Sequence, residues 1–191
     1  MNFEFEKHWI NLICLVPVYD QDGGNSTEIW LKGGEKILIP KKTRTVLKRL
    51  AKVFALDLPQ LKRKFGVLVG RKSSTPLPFH PNLILVPVKV REPLAKDDGS
   101  WGYVVKDQVH SCIPLGNTEM EIKFFDSELP LRCLQSAASF NLAMAHAEII
   151  THECYKHWNI IREREELYQV VSTLLSSLNK KKNSSYECRC L

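Results

Sequence analysis

The chain has 191 residues, of which 44% are hydrophobic, and it carries a net charge of +6. This length is enough for one substantial core but is too short for two enzyme domains of ordinary size. The first residues do not form a charged segment followed by a long apolar stretch, and no run approaches the roughly 18 apolar residues of a membrane span. We therefore expect a soluble, cytoplasmic protein with no membrane partner.

Six cysteines are scattered along the chain, and four of them lie in apolar segments that we expect to be strands or helices: Cys14, Cys112, Cys133 and Cys154. A secreted disulfide-bonded domain would be shorter and denser in cysteine. The pattern therefore predicts reduced thiols that pack as small apolar side chains.

The first part of the chain is typical of antiparallel strands. Residues 9–19 form an apolar run, in which Pro17 favours an edge strand or a bulge. Gly23-Gly24 marks a turn, and Gly33-Gly34 separates two short predicted strands, 27–31 and 36–39. Later runs of the same kind predict strands at 82–90, 101–105, 109–115, 119–125 and 129–134.

Residues 41–57 are predicted to form a helix. The apolar side chains fall within one arc of a helical projection, and the basic ones lie on the opposite side. The apolar set is Val46, Leu47, Leu50, Val53 and Phe54. Pro59 is expected to end the helix. After Gln60 we expect a basic loop around a short strand.

From Ser136 onward the apolar residues again recur with the spacing of a helix. Ser136 or Ser139 can cap this helix, and Phe140, Met144, Ala147 and Ile150 form its apolar stripe. A second helix is predicted at 158–178, which either lies on its own domain or mediates self-association. The fold class that follows is α+β, a mostly antiparallel sheet with packed helices and a helical C-terminal extension. The predicted domains are 1–157, the helix 158–178 and a disordered polar tail, 179–191.

The positive charge is concentrated in one sixth of the chain. Residues 41–72 contain eleven basic side chains and one acid, Asp57, whereas the remaining residues contain 16 basic and 20 acidic side chains. A net charge of +10 in one segment and −4 elsewhere indicates a polyanionic partner.

Sequence signatures of catalysis are not found. The chain has no Walker phosphate loop, no dinucleotide glycine fingerprint and no nucleophile elbow. On one helix, His146 and His157 would lie roughly 16 Å apart, so they could not hold one metal ion. We expect a protein that is not an enzyme and that needs neither a metal nor another cofactor.

Two other binding functions are compatible with the charge. An RNA-binding protein would prefer single strands and would need exposed aromatic side chains for stacking. The basic segment offers only Phe54 and Phe65, and Phe54 lies on the apolar face. An interaction module would use the basic surface to hold an acidic protein, and its binding would not depend on the length of a nucleic acid.

Several motifs follow one another in a definite order between residues 10 and 150. The first is Phe65-Gly66-x-x-x-Gly70-Arg71-Lys72. It is followed by Pro78 and Pro81 before an apolar strand with a central proline, by Trp101 in a strand, by Glu121-Ile122-Lys123-Phe124 with Leu129-x-Leu131, and by Ser136-x-x-Ser139-Phe140. In their order and spacing these motifs resemble those of the competence transcription factor ComK family. The chain departs from the family pattern at Val86-Pro87-Val88 and at Gly99-Ser100-Trp101.

The resemblance implies a bacterial transcription activator that binds A·T-rich double-stranded DNA as paired dimers, mainly through the minor groove. It also implies RNA polymerase and a degradation adaptor as partners. On this hypothesis Arg71 and Lys72 lie at the groove of the DNA, and Gly70 allows close approach of the backbone. Phosphates would be held by the remaining candidates, Lys48, Arg49, Lys52, Lys62, Arg63 and Lys64.

Overall fold

In the computed structural model, which describes residues 3–95, 98–156, 167–169 and 171–172, antiparallel strands form two sheets of six and three strands. The strands are β1 (Leu12–Tyr19), β2 (Asn25–Leu31), β3 (Lys36–Ile39), β4 (Leu77–His80), β5 (Leu83–Lys89), β6 (Trp101–Val105), β7 (Val109–Pro114), β8 (Met120–Phe124) and β9 (Ser127–Cys133). The helices are α1 (Phe5–His8), α2 (Thr43–Val53), α3 (Leu58–Leu68) and α4 (137–156). The predicted α+β class is confirmed.

The six-stranded sheet has the order β3-β2-β1-β6-β5-β4, which places β1 inside the sheet. The first predicted alternative for Pro17, an edge strand, is therefore wrong. The second, a bulge, is not found at Pro17 either, because the irregularity in the pairing of β1 with β2 lies between Leu12 and Cys14. Pro17 pairs with Thr27 of β2, but pairing with β6 is limited to Cys14 with Val104 and Leu15 with Tyr103. Because Pro17 lies beyond that pairing, its missing N–H group breaks no bond to β6.

One face of this sheet packs against the helices. Alternate residues of the strands, such as Leu15, Ile29 and Leu85, form one buried cluster with Leu47 and Leu50 of α2. Leu50 has no exposed surface, and burial of such a side chain contributes about 2 kcal/mol to the free energy of folding. The amphipathic pattern of α2 thus fixes which of its faces meets the sheet, and the basic face remains in solvent.

The opposite face of the six-stranded sheet lies against the three-stranded sheet β7-β8-β9. The ring of Trp30 in β2 contacts that of Phe124 in β8, with 6.2 Å between the centroids. A backbone hydrogen bond also links the residue after β9 to the large sheet, because the N–H of Leu134 donates to the carbonyl oxygen of Lys89 over 2.7 Å. Helices α1, α2 and α3 therefore lie on one side of the large sheet, and the three-stranded sheet lies on the other.

Helix α3 replaces the loop and short strand that we expected after Gln60, and this prediction is wrong. The side chain of Asp57 accepts a hydrogen bond from the N–H of Gln60 at 2.9 Å and caps the helix, and Pro59 lies in its first turn. Pro59 therefore lies at the start of a second helix, and it also prevents the first helix from continuing through this position. The sequence signal was present in Asp57-Leu-Pro-Gln60, which has the residue types of a helix start. Residues 73–81 are rich in Ser, Thr and Pro, which predicts a loop, but strand β4 lies within this segment, so that prediction is also wrong.

The predicted helix after Ser136 is confirmed, since residues 137–156 are helical. The Ser136 hydroxyl accepts a hydrogen bond from the N–H of Ser139 at 3.2 Å, and Phe140, Ala147 and Ile150 are buried. The chain divides into two units, Met1–His152 and Glu153–Leu191. The predicted helix 158–178 and tail 179–191 lie outside the described residues, except for 167–169 and 171–172, which are helical.

The four cysteines in the described part of the chain are free thiols, as the sequence predicts. Burial raises the pKa of the Cys14 thiol well above its usual value and raises that of Cys133 to about 12. Both thiols therefore stay protonated at neutral pH and act as packing groups. Cys188 and Cys190 lie outside the described residues.

Candidate nucleic-acid interface

A groove lies where α2 and α3 leave one end of the six-stranded sheet uncovered. Its walls come from α2, α3 and the segment after α3, and its base includes Pro17, Asn25, Trp101 and Tyr103 of the strands. The cavity volume is about 1210 Å³, and its described lining contains no acidic side chain. We call it the cationic groove because its lining includes eight basic residues: Lys42, Arg44, Lys48, Lys62, Arg63, Arg71, Lys72 and Arg91.

The structure brings together six of the nine site residues predicted from the sequence. The groove is lined by Lys48, Lys62, Arg63, Gly70, Arg71 and Lys72. The other three, Arg49, Lys52 and Lys64, are exposed but are not part of the groove lining. The Lys64 ammonium lies 5.3 Å from the centroid of the Phe65 ring. The basic segment therefore provides a concave group of cations and a separate exposed set on the outer faces of α2 and α3.

The position of Arg71 is set by the end of α3. The N–H of Arg71 donates to the carbonyl oxygen of Gly66 over 2.7 Å, and the N–H of Gly70 donates to that of Val67 over 3.3 Å. Gly70 has φ +65°, and together these features form the Schellman arrangement that ends many helices. The backbone consequently turns sharply at Gly70 and places Arg71 and Lys72 in the groove lining.

Two glycines near this turn have different reasons to be glycine. A Cβ atom on Gly70 would meet no atom within 4 Å, so space does not require glycine there. Glycine is favoured at this position because the backbone has a left-handed conformation. A Cβ atom on Gly66 would lie 2.5 Å from the carbonyl oxygen of Arg71, which is too close. Gly66 belongs to the motif found in the sequence but was not predicted as a site residue. It is the position where α3 and the Arg71 segment approach closely.

The cations of the groove lie close enough to influence one another. Burial and the neighbouring Arg44 guanidinium both lower the pKa of Lys62 from its ordinary value. Both causes disfavour the charged form, and a bound anion would oppose the second. The positive charges of the groove lining therefore repel one another, and a bound anion would relieve that repulsion.

Arg91 joins the groove from outside the basic segment. Its guanidinium lies 3.9 Å from the centroid of the Tyr19 ring, and its Nε donates to the carbonyl oxygen of Gly99 at 2.8 Å. Nη2 donates to the side-chain oxygen of Asn25, whereas Nη1 is buried and has no hydrogen-bond partner in the described part of the chain. These contacts fix the guanidinium beside the groove.

Asp98 holds the loop that carries Arg91. Its carboxylate accepts hydrogen bonds from the Tyr19 hydroxyl at 2.7 Å and from the Asn25 amide at 2.6 Å. These two bonds are the main reasons why the pKa of Asp98 falls to about 2. The carboxylate is thus ionised at neutral pH and ties the loop between β5 and β6 to the turn between β1 and β2.

Trp101 and Tyr103 also join the groove, and we did not predict them as site residues. Trp101 remains 42% exposed, whereas Tyr103 is half-buried against the core. Burial raises the pKa of Tyr103 to about 12, so its hydroxyl stays protonated at neutral pH. Trp101 was noted in the sequence only as one of the motifs of the family resemblance, without a binding role, and Tyr103 was not noted. Both residues reach the groove through the pairing of β6 with β1.

Neither a metal site nor a membrane span was found in the described residues. No group of three or more His, Cys, Asp or Glu side chains there could hold a metal ion. None of the described helices combines the length and the apolar character needed to cross a membrane.

Comparison of the chain with protein-family models, with curated proteins and with solved structures gave no match. Membership of the competence transcription factor ComK family, together with the function and partners that it implies, therefore stays a prediction from the sequence.

Proposed function

We propose that this is a cytoplasmic DNA-binding transcription regulator that acts by binding rather than by catalysis. The observation that carries the proposal is the cationic groove, whose described lining has eight basic residues and no acid. Phosphate groups bind through Lys and Arg on rigid surfaces, and each contact releases counterions. The regular helices α2 and α3 and the capped turn at Gly70 supply such a surface.

The preference for A·T-rich duplex rests on Arg71 and Lys72. Both follow the left-handed turn at Gly70 and line the groove beside Val67, which is 81% exposed. A·T-rich DNA has a narrow minor groove with enhanced negative potential, which attracts inserted arginine and lysine. The resemblance to the ComK family supports the same target. Dimers on DNA, RNA polymerase and a degradation adaptor are further proposals that rest on that resemblance alone.

The proposal is tested by two double substitutions that remove the same charge. Arg71→Ala with Lys72→Ala should weaken binding to A·T-rich duplex about 10- to 100-fold and should weaken binding to random duplex less. Arg49→Ala with Lys52→Ala, outside the groove lining, should lower both affinities by one common factor, as plain phosphate contacts do. Affinities are measured by fluorescence anisotropy. An equal loss for both duplexes in the first variant would remove the assigned role of Arg71 and Lys72 in preference for A·T-rich DNA.

A further inference from the structure

The base of the cationic groove contains an accessible indole ring. Trp101 is the first residue of β6, is 42% exposed and lines the groove. The other described tryptophans are engaged in the core: the Trp9 ring lies 5.2 Å from that of Phe54, and the Trp30 ring lies under the ammonium of Lys36 at 3.8 Å. Trp101 instead presents a large apolar side chain to a cavity that is rich in positive charge.

Tyr103 extends this aromatic surface. It lies two residues from Trp101 on β6, so both side chains lie on the same face of the strand. Both belong to the groove lining, and the Tyr103 ring is fixed because it packs against the core. The groove thus combines an aromatic surface on a rigid strand with basic side chains from α2, α3 and the segment that follows.

A groove that combines basic and aromatic side chains is suited to binding unpaired nucleotides. Proteins that bind unpaired nucleotides use a positively charged groove for the phosphates and aromatic side chains on which bases stack. Sheets with exposed aromatic residues bind bases in this way. In an intact duplex the faces of the bases are covered by neighbouring bases, so a stacking surface in a groove fits an unpaired base better than a paired one.

We propose that the base of the groove binds an unpaired base, which stacks on Trp101 while Lys62, Arg63 and Arg71 hold the adjacent phosphates. The inference extends the proposed DNA binding, because it assigns to the same groove a strand that is locally open. The shared chemistry is a base with flanking phosphates, which a DNA or an RNA strand can supply. Tyr103 supports the stacked base from the side of the core.

The test uses the full chain, fluorescein-labelled dT8 and rU8 oligonucleotides, and A·T-rich duplex. Trp101→Ala should weaken dT8 binding roughly tenfold or more, the size of a lost base–aromatic stack, and Trp101→Phe should retain most of the affinity. Phe125→Ala is the matched control, because Phe125 is 63% exposed and lies outside the groove lining. Its affinity should equal that of the wild type. Duplex binding should change much less in Trp101→Ala than dT8 binding does.

A second readout does not depend on the alanine variant folding. Binding of unlabelled dT8 should quench tryptophan fluorescence in the wild type, and Trp101→Phe should lose most of that quenching while it still binds. Unchanged quenching in Trp101→Phe, or unchanged dT8 affinity in a folded Trp101→Ala variant, would overturn the inference.

The oligonucleotides also separate this inference from the proposed function. Binding of duplex without binding of dT8 or rU8 overturns the inference and leaves the proposed function standing. Binding of either oligonucleotide through Trp101 without binding of duplex supports the inference and overturns the proposed function. Tighter Trp101-dependent binding of rU8 than of dT8 supports the inference with RNA as the source of the base.

Discussion

The basic side chains of the cationic groove and those elsewhere in the fold have different surroundings. Seven cations outside the groove each form an ion pair with an acidic side chain: Lys7, Lys32, Lys36, Lys89, Lys106, Arg132 and Lys156. None of these cations lines the groove. Several cations elsewhere in the fold therefore have a counter-charge within the protein, whereas the described lining of the groove contains eight basic side chains and no acid.

The pKa values of Lys62 and Lys106 are shifted in opposite directions, which illustrates this difference. Burial disfavours the charged form of Lys106, but its hydrogen bond to Glu148 at 2.9 Å and the adjacent Asp107 outweigh this and raise its pKa. Burial and the Arg44 guanidinium instead lower the pKa of Lys62. Lys106 therefore has its counter-charge within the protein, whereas Lys62 would gain one from a bound anion. A count of lysines in the sequence does not distinguish these two situations.

Gly66→Ala should displace Arg71 and so disturb the arrangement of cations in the groove. The new methyl group would lie 2.5 Å from the Arg71 carbonyl oxygen, which is backbone and moves only with the whole segment. The helix propensity of alanine offers about 1 kcal/mol, and the steric conflict should exceed it. We expect a net loss of about 1–3 kcal/mol in the free energy of unfolding, together with weaker DNA binding. Thermal melts and binding titrations measure the two effects.

Gly99→Ala is the matched control for this substitution. Gly99 also lines the groove, but a Cβ atom there would meet nothing within 4 Å. Its stability should stay within about 0.5 kcal/mol of the wild type. If Gly66→Ala were as stable and bound DNA as well as Gly99→Ala, then the close approach of α3 would not be what positions Arg71.

Substitution of Lys62 and substitution of Lys106 should have opposite effects on stability and on DNA affinity. Lys62→Gln removes a like-charge interaction, so stability should not fall, while DNA affinity should fall about five- to tenfold at low salt. Lys106→Gln removes the bond to Glu148 and should cost about 1 kcal/mol of stability without changing DNA affinity. Chemical denaturation and anisotropy titrations on both variants measure these four quantities. Equal losses of affinity in both variants would mean that only net charge matters.

The parts of the fold that follow from local patterns were predictable. The strand pair on either side of Gly33-Gly34 and the helix with Val46, Leu47 and Leu50 on its apolar face lie where alternation and helical period place them. Helix α3 was missed because Gly66 and the valines around it lower helix propensity, and packing of Phe65 overrides that preference. The interior position of β1 depends on its partner β6, which is distant in sequence.

The site was predictable to the same extent. Charge density alone identified the segment that supplies most of the cations of the groove. The turn at Gly70 was not predicted, because a basic loop around a short strand was expected there in place of the end of α3. Arg91, Trp101 and Tyr103 could not be found in this way, because they reach the groove only through the strand order β1-β6-β5 and the loop held by Asp98. The aromatic requirement for binding of single strands, which the basic segment did not meet, is met by residues from another part of the chain.

The central claim is that the cationic groove binds nucleic acid through phosphate contacts. The most direct test is a titration of the wild-type protein against A·T-rich duplex, G·C-rich duplex and single-stranded RNA at two salt concentrations. We predict tightest binding to A·T-rich duplex, with an affinity that falls as salt rises on a slope equivalent to several phosphate contacts. The absence of salt-dependent binding to all three nucleic acids would contradict the account and would assign the groove to an acidic protein partner.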